Sequence, residues 1–518
     1  MPDGERRGTA PVNRVEVSPM LLRAVFAAVI ALAAMPVFST PQLNDATDMW
    51  LSPGEAGWGI NFFHQGDTLF AALFVYGPDR QPKWYVASNL IGSGDRAATY
   101  TGPLFEATGP YFGAAFDAST VVRRQVGTMS VQLGQNQATL DYTVDGVHVT
   151  KSIQRFAFRS TSLSGQYIGF EFQPASGSRA EVRHDVNIVI DDDGTHVHMA
   201  TDSDSEPSCS YDGLKSQSGS LALVQGRFSC GSQSGDWSMQ VDVTPHGFTG
   251  GFAGNGITGN DIAGDDGRIA ASRRTAPVMD GNGWRDDLWF APNESGWGLN
   301  VVEQGQTLFA TLFVYDQQRQ THWFVASDLE RSGSGFSGAL YEANGSYFGA
   351  PFATGGVTLR QVGTMTFEVR DAGTASLTYT VDGVSVSKTV SRFAFRKNDL
   401  TGHYVGHLAG TSEDPGGASH DTVDITINDD ANGFTMQTVG HAAPSCNYSA
   451  PPAQQLGAQR FVSGTFTCNS GRTGTFDMQD VLVTFDGFTS RILHHNATAP
   501  QGAGITIGHM EGARRDAN

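Results

Sequence analysis

Two carboxylates recur at matched places in this 518-residue chain: Glu55 and Glu106 return as Glu294 and Glu342. Two carboxyls held several ångströms apart can hydrolyse a glycosidic bond, one as acid and the other as base or nucleophile. A secreted glycoside hydrolase is therefore one reading. Nothing in the spacing sets their separation, however. Glu55 suits the cap of a turn, and Glu106 has Arg124 as a candidate partner. Trp58 and Trp297 are the next candidates, each set between glycines in Glu55-Ala-Gly-Trp58-Gly and Glu294-Ser-Gly-Trp297-Gly. Such glycines let the backbone turn tightly around a large ring. The ring then either plugs the end of a barrel or stands out as a platform for a sugar or peptide. In the second case Trp84, Tyr111 and Phe112 would share its surface, with Trp323, Tyr347 and Phe348 as the equivalents. The candidate binding residues are Glu55, Trp58, Trp84 and Tyr111, with Glu294, Trp297, Trp323 and Tyr347.

Other constellations point less far. His196-x-His198 could hold a metal from one side of a strand, but the second copy has Phe434 and Met436 there. Asp191-Asp-Asp-Gly194 lacks the distal Glu of a calcium loop. Arg124, Arg155 and Arg159 (Arg360, Arg392 and Arg396) read as a solvated strand face. No Gly-rich phosphate loop precedes a helix, and no Gly-x-Ser-x-Gly elbow occurs. No catalytic residue, metal or cofactor is assigned. The four cysteines fall in equivalent pairs, Cys209 with Cys230 and Cys446 with Cys468. In an exported chain these read as disulfides, each worth roughly 3 kcal/mol through loop closure.

These residues sit on a chain that is written twice. Copy one runs from about Asp48 to Arg274 and copy two from about Asp287 to Arg515. Trp50 matches Trp289, and Tyr76 matches Tyr315. Arg124-Gln-Val-Gly-Thr128 matches Arg360-Gln-Val-Gly-Thr364, and Arg155-Phe-Ala-Phe-Arg159 matches Arg392-Phe-Ala-Phe-Arg396. The motif Pro-x-Glu-x-Gly-Trp-Gly, followed by Gly66, Thr68 and Trp84 or by Gly305, Thr307 and Trp323, resembles an uncharacterised repeat family of exported bacterial proteins. Cys209-Ser-Tyr211 and Cys446-Asn-Tyr448 fit the second part of such proteins. The resemblance spans nearly all of the chain after the leader and implies no activity.

Each copy divides again after its Arg-Phe-Ala-Phe-Arg segment. The expected organisation is a leader and signal peptide at 1–39, β modules at 46–160 and 161–274, a linker at 275–286, and β modules at 287–397 and 398–515. Leu140, Tyr142 and Val144 alternate with polar residues into Asp145-Gly146, and Val147 and Val149 resume the alternation. That is a two-residue hairpin signal, repeated at Asp382-Gly383. Thr68 to Tyr76 (TLFAALFVY) and Thr307 to Tyr315 are apolar on both faces, as in a strand covered on both sides. The fold class is all-β: a tandem duplication, each copy made of two small antiparallel β-barrel or sandwich modules.

Composition bounds the partners. Lys+Arg 33 against Asp+Glu 52 gives a net charge of −19, which repels phosphate backbones and argues against nucleic acid. Arg6, Arg7, Arg14 and Arg23 precede an apolar run from Ala24 to Phe38, as in an export signal too short to span a bilayer. Met20 is an alternative start. No later stretch could cross a membrane as a helix. The chain is expected to be exported (periplasmic, cell-surface or secreted) and to act without catalysis, as a binding or structural protein for a surface polysaccharide or envelope protein. The alternatives are a carrier with a small apolar ligand inside its barrels and the hydrolase above.

Overall fold

The computed structural model describes residues 45–515, apart from 93–97, 135, 174, 176–179, 203–207, 245–246, 256–263, 275–284, 354, 413–417, 441–443, 485–486 and 498–504. The expected leader at 1–39, and all of the expected linker but Arg285 and Asp286, lie outside the described residues. No described helix is long and apolar enough to cross a membrane.

The chain forms four antiparallel barrels in sequence order, two per copy, each a meander of eight principal strands. In the first barrel, Asp48–Leu51 closes onto Val147–Arg155, with Trp50 opposite Arg155. In the third, Asp287–Phe290 closes onto Val384–Arg392 in the same register. The second barrel closes through Gly165–Gln173 and Gly264–Arg273. The fourth closes through Cys446–Ala450 on Gln459–Cys468, with the short strand Gln454–Leu456 added alongside. The hairpin signals hold: Asp145 and Gly146 have φ of 48° and 83°, and Asp382 and Gly383 have 47° and 84°. Both central residues of a type I′ turn need positive φ, which Asp-Gly tolerates. Both disulfides form, Cys209–Cys230 and Cys446–Cys468, each between residues directly opposite on neighbouring strands.

The barrels are packed rather than hollow. Trp50, Phe62, Leu69, Leu73, Tyr100 and Leu140 are all essentially inaccessible in the first. Trp237 meets Tyr211 and Phe252 in the second, and Tyr448 meets Phe476 in the fourth.

Thr68–Tyr76 is apolar on both faces for a reason that reaches beyond its own barrel. Leu69, Ala71 and Leu73 face the barrel interior. Phe70, Phe74 and Tyr76 face the other copy, where Phe70 meets Phe393 and Phe395 and both Phe74 and Tyr76 meet Trp323. The first and third barrels therefore share one continuous hydrophobic core. The second and fourth touch through a smaller patch of Phe170, Phe172, Ala270, Val405 and Ala513. Arg515 ties it at the rim by bonding Glu181 and Asp424. The tandem copies pack on each other as a fused pseudo-dimer.

Within each copy a turn of the second barrel plugs the end of the first. Ser220 donates its N–H to Asp48, and Ala458 donates its N–H to Asp287. The preceding residues, Gly219 and Gly457, have φ of +60° and +61°, and a Cβ on either would lie 1.8 Å from the aspartate. Only glycine fits there. Each aspartate is also paired with a buried arginine, Asp48 with Arg155 at 3.2 Å and Asp287 with Arg392 at 3.0 Å. The expectation of a solvated arginine face is thus wrong for Arg155 and Arg392, which also lie over the rings of Trp50 and Trp289. Arg124 and Arg360 do stay exposed.

Candidate functional site: the seam between the first and third barrels

The repeated motifs come together across the two copies, and they do so reciprocally. Trp84 donates its indole N–H to the Val314 carbonyl at 2.9 Å, and Trp323 donates to Val75 at 3.0 Å. Gln65 spans the segment after the third barrel: its Oε1 accepts from Phe395 N–H at 2.9 Å and Arg396 N–H at 3.1 Å, and its Nε2 donates to the Phe393 carbonyl at 3.2 Å. Gln304 does the same for Phe156, Phe158 and Arg159. Arg80 donates to the Gly356 carbonyl and Arg319 to the Thr120 carbonyl. Arg159 pairs with Asp328, and Arg396 with Asp67. A Cβ on Gly109 would meet the ring of Tyr315 at 2.3 Å, and one on Gly345 the ring of Tyr76 at 2.2 Å. What the two copies kept is largely the machinery that joins them.

Trp58 and Trp297 are buried, at 7% and 8% exposure, as are Trp84 and Trp323. They form no open aromatic platform. The indole N–H of Trp58 donates to Glu55 at 3.0 Å, and Lys151 pairs with the same carboxylate at 2.8 Å. Trp297, Glu294 and Lys388 repeat the arrangement. The rings expected to share a surface within one copy are crossed over. Glu55 and Trp58 line a small void with Tyr347 and Phe348 of copy two, and Glu294 and Trp297 line one with Phe112 of copy one. These voids, about 20 and 10 Å³, have room for little more than a water. The rings of Tyr111 and Tyr347 lie tilted against those of their neighbours Phe112 and Phe348.

The paired carboxylates are engaged separately. Glu55 is held by Lys151, and Glu106 by Arg124 at 2.7 Å. In copy two, hydrogen bonds from His322 and then Arg360 hold the Glu342 carboxyl down at about 2. A residue ionised so firmly is a poor proton donor near neutral pH. His198 bonds Asp212 at 2.8 Å, and His196 bonds its neighbour Thr195.

A larger space opens on one side of the seam. It measures about 310 Å³ and is walled by Phe70, Trp84, Trp289, Trp297, Phe313 and Phe393, among others. It lies between barrels, not inside one, which corrects the expected place of an apolar ligand cavity. Two of the aromatic candidates, Trp84 and Trp297, contribute to it, together with Trp289, the equivalent of Trp50. Sequence reasoning missed Asn300, Ala72 and Arg123, which also line it. The usable signal was the mismatch between copies, with Ala72 standing against Thr311 and Arg123 against Leu359.

No family model and no curated protein matches the chain. Among solved structures, a protein of unknown function from the DUF3598 family of Nostoc punctiforme aligns at 9% identity and a TM-score of 0.16, covering 68% of this chain and 96% of that one. Transferrin binding protein B of Neisseria meningitidis aligns at 9% identity and a TM-score of 0.19, covering 79% and 87%. A mutant of transferrin binding protein B from Haemophilus parasuis gives 8% identity and 0.19, covering 80% and 95%. Likeness of this degree assigns nothing to this chain.

Proposed function

We propose that this is an exported, non-enzymatic binding protein that carries a small apolar ligand in the seam between its first and third barrels. The observation that carries this reading is the 310 Å³ aromatic-walled space. Cores are normally packed without voids of that size, and concave, mostly apolar sites with a few polar groups are the usual form of a ligand pocket. It has about twice the volume of the ~150 Å³ void that holds benzene in a well-studied case, so a body of two rings fits. Both disulfides suit an oxidising compartment outside the cytoplasm.

The test uses N-phenyl-1-naphthylamine, a neutral probe that brightens in apolar surroundings. The mature chain is expected to bind it with one-to-one stoichiometry. Ala72 lines the space, and Ala72→Phe should fill it. That variant should weaken the probe at least tenfold while melting at the same or a higher temperature, since filling a void stabilises by about 1 kcal/mol. Undiminished binding by a folded Ala72→Phe chain would refute the site.

A further inference from the structure

The two sides of the seam are related by the duplication, yet they differ where polarity matters. Asn61 donates its Nδ2 to Thr311 of the other copy at 3.4 Å. The reciprocal residue, Asn300, lines the cavity together with Ala72, the equivalent of Thr311, and alanine has no side-chain acceptor. Asn300 is 3% exposed, lines the cavity, and its Nδ2 has no hydrogen-bond partner. A buried donor left without a partner keeps its desolvation cost uncompensated. Because Asn300 lines the cavity, rotation of its amide would turn this donor toward an occupant.

Arg123 marks the second difference. It lines the same space, is exposed, and holds its guanidinium 5.4 Å from the Phe105 ring centroid. Its neighbour Arg124 is saturated by Glu106 and Asp145, whereas Arg123 pairs with no carboxylate among the described residues. The equivalent position in copy two is Leu359. In a chain of net charge −19, a cation without a counter-ion beside an apolar cavity is suited to an anionic head group.

Resting on the carrier reading above, we propose that the ligand is a ring-bearing carboxylic acid, bound once per chain. Its apolar body lies among Trp84, Trp297 and Phe313, its carboxylate meets Arg123, and an oxygen on its body accepts from Asn300. The duplicated chain therefore has one functional seam site and not two. The copies diverged at positions 72 and 123 to make it.

The experiment displaces N-phenyl-1-naphthylamine from the mature chain with 2-naphthoate, 6-hydroxy-2-naphthoate or the neutral 2-naphthylmethanol. 2-Naphthoate should compete about tenfold better than the alcohol. Arg123→Leu, which installs the residue of copy two, should abolish that preference and leave the alcohol's affinity unchanged. The hydroxy acid should bind better than 2-naphthoate, and Asn300→Leu should remove that gain. Equal competition by acid and alcohol, unchanged in Arg123→Leu, would overturn the acid assignment while the displaced probe still supports the carrier reading. No bound probe to displace would overturn both.

Discussion

Replacing Trp84 or Trp323 by alanine is expected to destabilise the chain by about 4 kcal/mol in chemical denaturation. Deleting a buried Trp from a packed core costs about 3–5 kcal/mol. Each substitution also strips a buried backbone carbonyl, Val314 or Val75, of its indole donor, a further ~1–3 kcal/mol if nothing replaces it. The loss should be felt in the copy that was not mutated. Trp84 packs on Phe313 and Tyr315, so Trp84→Ala should speed amide exchange in Thr307–Tyr315, and Trp323→Ala in Thr68–Tyr76. Exchange changed only in the mutated barrel would mean that the two barrels are stable independently.

The second large effect is a fall in stability with rising pH. Glu511 is buried between the second and fourth barrels, where it accepts a hydrogen bond from Ser272. Burial raises its carboxyl to about 8 from the ordinary 4.5. Burial likewise raises Asp242 to about 7, with Asp45 adding repulsion. A group raised in the folded state contributes stability that is fully present below its unfolded value and is lost as pH climbs through the folded one. For Glu511 that window runs from about pH 4.5 to 8, and the whole shift corresponds to about 5 kcal/mol. Asp193 and Glu342, both lowered to about 2, work in the opposite sense only below about pH 4. The melting temperature should therefore peak near pH 5 and fall toward pH 9. Glu511→Gln should flatten that slope and raise the melting temperature at pH 9. A wild-type chain that melts higher at pH 9 than at pH 5 would contradict this account of Glu511.

The sequence carried the local structure well because turns and strand faces are written locally. Asp145-Gly146 and Asp382-Gly383 announced their hairpins, and the two cysteine pairs announced their bridges at equivalent places. The two-faced strand TLFAALFVY announced that it was covered twice. Strand periodicity shows that a face is buried but not what buries it, and here the second cover is the other copy. The same blindness put Arg155 in solvent. It alternates in step with the buried Val149 and Ile153, so its position is an inward one, and the turn at Gly219 and Ser220, brought from the next barrel, supplies the cover and shares its partner Asp48. Gln65 and Gln304 went unremarked because a lone glutamine carries no pattern, yet each docks like a short length of strand on the other copy. The pairing of Trp58 with Tyr347 was illegible for a related reason. Duplication gives each residue an equivalent, but it does not say that the partner lies in the opposite copy. Ala72 and Arg123 could have been noticed, since the repeat breaks its own rule at both positions, with Thr311 and Leu359 as the equivalents, whereas Asn300 matches Asn61 and carries no such mark.

All of this depends on the copies meeting face to face through the motif residues they share. The direct measurement is sedimentation of copy one alone, residues 45–274, at micromolar concentration. Its seam donors Trp84, Gln65 and Arg80 reach mainly backbone acceptors, which a second identical copy also presents. The expected result is a folded homodimer in place of the lost half. A well-folded monomer that leaves Phe70, Phe74 and Trp84 in water without associating would contradict the account.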